Sequence, residues 1–540
     1  MAGFEYYDSY NKGFNASGSG APTDDFMDLQ YTSKEEGKRS IDSWHSRQRI
    51  MSFFGRVNYD YQSKYLLSLV LRKDGYSKLA KENRWGVFPG VSTGWVFSKE
   101  KFMANTSDIL SFGKLRASYG VNGNASGIGA YTLQGSYNKV TNYNGNAGYL
   151  IAALPNPGLR WEKTNTFEVG LDLSFFHNRL TTNFTYYNRL TSDKYAALSF
   201  PTTIGFSSVT NNNGELRNQG LEMEFSGRII ETKDWSWNAG LNVAFNKNKI
   251  VSLPDNGLER NRQSAFQVYT GNGDEKMWVG GYQEGYEPNI LYIYQVDGIY
   301  KSYDQIPGNL IRKYGSYTYY GPDAWNQLTA DQQNAKTNFP IQPGDAMFHD
   351  VNGDNVIDEF DKVRVGNTNP HWTGGFNSTL SWKGLKLYTR FDFALGFWIY
   401  ESGASQSTTP WHLGCMQGTY NVPDLYYDTW SEENPNGTYP RFLYADQLGK
   451  NNYQPASTLF AHKGNYLAIR EISLSYSLPQ KWTQAVKMQR AEVSITGQNL
   501  GYITGAKNVG SPEANPKDNG AVGQGYSLPR TILFGVNLTF

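Results

Sequence analysis

The chain closes on Arg530-Thr-Ile-Leu-Phe-Gly-Val-Asn-Leu-Thr-Phe540. Ile532, Phe534, Val536, Leu538 and Phe540 fall on one side of an extended strand. Thr531, Gly535, Asn537 and Thr539 fall on the other, with Leu533 the exception. Side chains alternate sides along a strand, so this period of two predicts a strand with one apolar face. About ten residues is also the length at which a tilted strand crosses a bilayer. Taken alone, the stretch fits either a membrane strand or the edge of a soluble β-sandwich.

Composition narrows the choice. The chain has 540 residues, 15% of them aromatic, with 39 Tyr, 29 Phe, 14 Trp and 56 Gly, and its formal net charge is +1. Mean hydropathy is −0.58. The sequence holds no run of eighteen apolar residues, so no transmembrane helix is expected. A closed barrel reconciles polarity with bulk: its strands are half apolar, its loops polar, its rims aromatic. The near-zero charge argues against a nucleic-acid partner. Cys415 is the single cysteine, so no intrachain disulfide can form. Met1-Ala-Gly-Phe-Glu-Tyr-Tyr-Asp8 has neither the basic nor the apolar region of a signal peptide. An exported protein needs one, so the chain is expected to be the C-terminal piece of a longer protein.

Alternation recurs along the chain. Phe167, Val169, Leu171, Leu173 and Phe175 oppose Glu168, Gly170, Asp172 and Ser174. Leu221, Met223 and Phe225 oppose Glu222, Glu224 and Ser226. Phe391 and Phe393 oppose Arg390 and Asp392, which places the phenylalanines toward lipid and Asp392 toward the lumen. The first strand is expected over Ala2–Tyr7, with residues 8–47 a surface loop. Short turns are expected at Gln62-Ser63-Lys64, His177-Asn178-Arg179, residues 231–234 and Lys383-Gly384. Long loops fall between them, the longest an extracellular insertion over residues 249–370. Short inner turns alternating with long outer loops predict roughly fourteen antiparallel strands, the last descending.

Several stretches then resemble the SusC/RagA-type TonB-dependent transporters of Bacteroidetes outer membranes. They include Arg84-Trp85-Gly86-Val87-Phe88-Pro89, Gly94-Trp95-Val96-Phe97-Ser98 and Lys114-Leu115-Arg116-Ala117-Ser118-Tyr119-Gly120. Asn218-Gln219-Gly220-Leu221-Glu222, Pro370-His371-Trp372-Thr373-Gly374-Gly375-Phe376 and Gly497-Gln498-Asn499-Leu500 continue the series in the family's order. The resemblance implies an all-β fold: a transmembrane antiparallel β-barrel, of which residues 1–540 are the C-terminal ~14 strands of a plugged 22-stranded barrel with long extracellular loops. It implies location in the outer membrane, amid its lipid, and TonB-dependent import of a large nutrient. An oligosaccharide or glycan comes first as substrate, and a peptide is the alternative. It also implies a SusD-like surface lipoprotein as lid, and TonB contact through an N-terminal part not visible here. The rival is a secreted soluble β-protein that binds or cleaves glycans. The outward strand face decides, because a soluble protein cannot expose an unbroken apolar band.

The sharpest site is Asp350-Val-Asn352-Gly-Asp354-Asn-Val356-Ile-Asp358-Glu-Phe-Asp361. Oxygens from Asp350, Asn352, Asp354, the Val356 carbonyl, Asp358 and Asp361 have the spacing of a twelve-residue Ca²⁺ loop, which seeks six to eight oxygens. Asn355 and Asp361 stand where that pattern has Gly and Glu, so an Asx-rich turn without metal is the other reading. No catalytic residues are expected: six His and one Cys show no nucleophile–base spacing, and Glu222 with Glu224 reads as a wet barrel wall. Trp411, His412, Tyr292, Tyr319 and Tyr320 can stack on a sugar ring, or serve loop packing or partner contact. Phe534, Val536, Leu538 and Phe540 form an expected assembly signal on the last strand.

Overall fold

A computed structural model describes residues 1–25, 28–35, 37–129, 131–143, 146–401, 428–441, 452–453, 455–506, 511–513, 521–522 and 528–540. Its main body is a 14-stranded sheet. In chain order the strands are Ala2–Gly18, Arg39–Tyr61, Tyr65–Tyr76, Trp85–Trp95, Leu110–Asn124, Glu162–Phe175, Leu180–Ser199, Ser208–Glu231, Trp235–Ser252, Trp372–Trp382, Leu385–Leu395, Tyr466–Ser477, Arg490–Thr504 and Thr531–Thr539. Each pairs antiparallel with the next, so the wall is a single meander. The Ala2–Gly18 and Thr531–Thr539 strands are each paired on one side only, and the wall is open between them. No helix among the described residues is long and apolar enough to cross a membrane.

One end of the wall carries the connections 62–64, 96–109, 176–179, 232–234, 383–384 and 478–489. The other carries 19–38, 77–84, 125–161, 200–207, 253–371, 396–465 and 505–530. At the short end Lys383 and Gly384 both have positive φ, 45° and 91°, the geometry a two-residue hairpin turn requires. The insertion expected over 249–370 runs from 253 to 371, because the Trp235–Ser252 strand continues four residues further and the next wall strand begins at Trp372.

The expected first loop is corrected. Residues 8–18 and 39–47 are strand, paired from Ala2↔Gly55 to Gly18↔Arg39. Cross-strand polar contacts replace apolar ones there: Arg47 donates to Asp8 at 2.6 Å and the Ser17 and Ser40 hydroxyls meet at 2.7 Å. The hairpin therefore continues past the point where its apolar pattern fades.

The outward face is banded. At the short-turn end Trp235 stacks on Trp382 with ring centroids 5.5 Å apart, and Tyr61 on Tyr65 at 6.4 Å. At the other rim Phe245 meets Trp372 at 4.9 Å and Phe53 meets Trp85 at 6.2 Å. Three strands carry both belts, with Trp85 and Trp95, Trp235 and Phe245, and Trp372 and Trp382 each ten positions apart. Ten residues rise about 33 Å along a strand. A tilt of about 40° makes that roughly 25 Å of height, the thickness of the apolar band of a membrane barrel. Between the belts the outward positions are apolar and exposed, among them Leu69, Leu115, Leu241 and Phe376. The terminal strand matches: Phe534 is 81% and Val536 71% exposed. A protein in water does not present such a face.

Candidate functional site

The inward face is wet. A cavity of about 1250 Å³ is lined by inward residues of neighbouring strands, including Arg116, Asp172, Asn183, Glu222, Glu224, Asn242, Asn377, Arg390, Asp392 and Arg470. Each is the polar alternate of an outward apolar neighbour, which is why the period of two places them here. Opposite charges meet across strands. Arg116 donates to Asp172 at 3.1 Å, Arg189 to Glu168 at 3.1 Å and Arg470 to Asp392 at 2.7 Å. Arg470 also donates to Glu513 of the last outer loop at 2.6 Å, tying that loop to the wall. The cavity is lined by three arginines, Arg116, Arg390 and Arg470, and four carboxylates, Asp172, Glu222, Glu224 and Asp392. It offers many donors and acceptors with little net charge.

The two longest outer connections fold together. The 253–371 insertion has its own core of Tyr294, Tyr300, Ile306, Leu310, Tyr319, Ile341, Phe348 and Ile357. Arg312 lies wholly inside the insertion, 3.4 Å from the Phe348 ring centroid, and burial pushes its guanidinium down to about 10. A second core joins Ile293 of the insertion to Tyr400, Tyr439, Tyr453 and Phe460 of the next loop. Backbone and side chains seal the seam: Tyr294 N–H donates to the Ala456 carbonyl at 3.0 Å and Arg441 N–H to Gly344 at 2.7 Å. At its centre Asp345 is buried. It accepts Arg441 Nε at 2.6 Å, Arg441 Nη2 at 3.3 Å, Asn452 Nδ2 at 3.0 Å and the Gln342 N–H at 2.9 Å.

The acidic loop is closed on itself. Asp350 accepts the N–H groups of Gly353 and Asn355, both at 2.8 Å. Asp354 accepts Val356 N–H at 2.6 Å, and Asp358 accepts Phe360 N–H at 2.8 Å. Asn352 donates to Asp354 at 3.0 Å and to Asp274 at 2.8 Å. Asp361 is buried and accepts Val351 N–H at 2.9 Å and Asp358 N–H at 2.7 Å. Burial pushes the Asp361 carboxyl up to about 6, against the pull of those two N–H bonds. Gly353 and Asn355 take the positive φ the turn needs, 76° and 63°. Val356–Ile357 pairs with Ile311–Arg312, so the loop is braced against the insertion's core. Among the described residues no three His, Cys, Asp or Glu side chains converge as a metal cluster.

Of the five aromatic positions, Tyr319 is fully buried in the insertion core, which leaves it no surface for a ligand. Tyr320 packs on Trp325 and Tyr292 edge-on to Phe266, both half-buried. Trp411 and His412 lie outside the described residues.

Comparison with known proteins decides what this wall is. The family described as "TonB dependent receptor-like, beta-barrel" matches residues 1–324. The chain belongs to that family. It is similar to TonB-dependent receptor P3 of Formosa agariphila, 29% identical over 554 residues covering 100% of this chain and 50% of that protein. It is also similar to TonB-dependent receptor SusC of Bacteroides thetaiotaomicron, 27% identical over 512 residues covering 93% of this chain and 45% of that protein. The chain thus spans about half the length of the curated relatives it matches. The fold agrees with the solved RagAB peptide transporter at a TM-score of 0.71 and 23% identity, over 100% of this chain and 53% of that one. The SusC/RagA resemblance of the sequence motifs is met on both counts. This is a β-barrel wall of the outer membrane, from a family of receptors, not enzymes. Glu222 and Glu224 accordingly line a cavity wall.

Proposed function

We propose that the chain is the C-terminal part of a SusC/RagA-type transporter that imports a large nutrient, powered through TonB and served by a SusD-like surface lipoprotein. The observation that carries this reading is the contrast between the two faces of one wall. Outside is an apolar band between aromatic belts; inside is a polar, nearly charge-balanced cavity. Hydroxyls, amides and paired ions suit a neutral, hydroxyl-rich solute, so an oligosaccharide is the first substrate class. Peptide import is the second, favoured by the name of the RagAB peptide transporter. Cells making the full-length protein are expected to take up a fluorescent oligosaccharide, and cells lacking it are not. Selective uptake of labelled peptides would move the reading to the second class. Loss of neither on deletion would refute import.

The acidic loop is read as a weak Ca²⁺ site, with Asp350, Asn352, Asp354, Val356, Asp358 and Asp361 as donors. A carboxylate has about four lone-pair sites, so one that accepts one or two N–H groups keeps others for a cation. Mutual repulsion among the acids is what a cation would relieve. Calorimetric titration of the full-length protein with CaCl₂ is expected to give a Kd on the order of 10⁻⁴–10⁻³ M, abolished in Asp350→Ala/Asp354→Ala. No heat from the unaltered protein would leave the loop a turn.

The outward face of the last strand is read as an assembly signal. Deleting Phe540 is expected to lower the surface-exposed population of the full-length protein in whole-cell labelling, while Asn537→Ala, on the inward face, is expected to spare it. Unchanged labelling without Phe540 would refute that role.

A further inference from the structure

The hairpin of Ala2–Gly18 and Arg39–Tyr61 carries a basic stripe on its lipid side. The register runs from Trp85 of the outer belt through Gly75 to Met51. Odd positions of the Arg39–Tyr61 strand share the outward face with Phe53, whose ring meets Trp85. Arg49 and Arg47 are two and four residues beyond Met51, about 5 and 10 Å higher. That is the depth of the headgroup layer. Their paired strand puts Asp8 between them: its carboxylate accepts Arg47 at 2.6 Å and Arg49 at 3.2 Å. One carboxylate fixes both guanidinium groups and neutralises only one, and the two side chains stay 52% and 47% exposed. Lower on the same face Lys73 lies opposite Phe53, with its Nζ 5.4 Å from the Trp85 ring, an ammonium rising along the aromatic belt. Exposed Lys12 and Phe14 continue the stripe upward.

We propose that this stripe is a docking site for the phosphate-bearing headgroup of an outer-leaflet lipid, held by Arg47, Arg49 and Lys73. Three cations against Asp8 give the face a net positive charge at the level where lipid phosphates lie. Guanidinium forks suit phosphate oxygens in pairs. The exposed aromatic positions Tyr6 and Phe4 just below supply the apolar floor on which acyl chains would rest. The inference rests on the outer-membrane placement of the wall and is independent of the nutrient carried.

Native mass spectrometry of the detergent-solubilised full-length protein with added lipopolysaccharide tests it. The unaltered protein is expected to retain lipopolysaccharide, and R47Q/R49Q/K73Q to lose affinity by roughly tenfold or more. Lys313→Gln, on the insertion, serves as a control and is expected to change nothing. Should the triple variant fold poorly, phosphatase-treated lipopolysaccharide on the unaltered protein gives the same comparison and is expected to bind as weakly. Equal retention of treated and untreated lipid would overturn the proposal. So would a triple variant that keeps the lipid and loses a co-purifying protein, since the stripe would then be a protein interface.

Discussion

Replacing Asp345 with alanine is expected to destabilise the joined outer loops by about 3–5 kcal/mol, the usual cost of leaving one member of a buried ion pair alone. The Asp345 and Arg441 side chains are 2% and 12% exposed, so little water can reach the orphaned guanidinium. Arg441 would keep its bond to Gln342 Oε1 at 2.7 Å and lose both carboxylate contacts. Asn452 would lose its acceptor as well, although its own Oδ1 still receives Ala346 N–H at 3.0 Å. Asp345→Asn keeps the shape and one acceptor oxygen, and a smaller loss is expected. Hydrogen exchange on the full-length protein reads the effect directly, because loop units open locally with their own free energies. Amides at the seam, such as Tyr294 and Val296, are expected to exchange faster in both variants and fastest in Asp345→Ala. Protection unchanged at those amides would show that the apolar core around Phe460 holds the loops without the ion pair.

The wall was legible because membrane strands repeat one rule. Trp235 to Asn246 and Leu385 to Leu395 alternate, and the short turns at 62–64 and 383–384 interrupt that alternation where the hairpins turn. The terminal strand could not decide its own setting, since an apolar face looks the same against lipid and against a second sheet. Aromatic belts ten residues apart settle that, and Trp85 with Trp95 or Trp372 with Trp382 already carry the spacing in the sequence. The upper half of the first hairpin was missed for the opposite reason. Its residues pair through Asp8, Arg47, Ser17 and Ser40, and a strand wet on both faces has no apolar period to detect. Strand pairing there comes from the register set lower down, by contacts such as Phe4 with Phe53 at 5.2 Å. The seam between the outer loops left no local trace either. Asp345 and Arg441 are 96 positions apart, and neither differs from a surface charge until the chain is folded. Tyr319 shows the same limit from the other side: an aromatic in a polar loop reads as available, and only the loop's private core reveals it as packing.

Arginine in place of Phe391 is expected to cost about 2–4 kcal/mol, the depth-dependent penalty for a cation on the lipid face of a barrel near the midplane. The register fixes that depth. Trp382 lies opposite Leu385 at the inner belt and Trp372 opposite Leu395 at the outer one. Phe391, paired with Phe376, is six positions from Leu385 and four from Leu395, close to the middle of the band. The two rings stack with centroids 6.3 Å apart, so the substitution also removes an aromatic pair. An inward position at similar depth provides the contrast. Asp392 faces the lumen as the alternation predicts, but it accepts Arg470 at 2.7 Å, and arginine there would set like charges against each other. Asn242 is the better comparison. It lines the cavity and lies directly across from Glu224, so Asn242→Arg gains an opposite-charge neighbour in a wet setting. Folding of the full-length protein into lipid vesicles, followed by urea titration, is expected to show Phe391→Arg strongly destabilised and Asn242→Arg within about 1 kcal/mol of the unaltered protein. Equal losses at the two positions would mean that the two faces meet the same solvent, and the assignment of lipid to one and water to the other would fall.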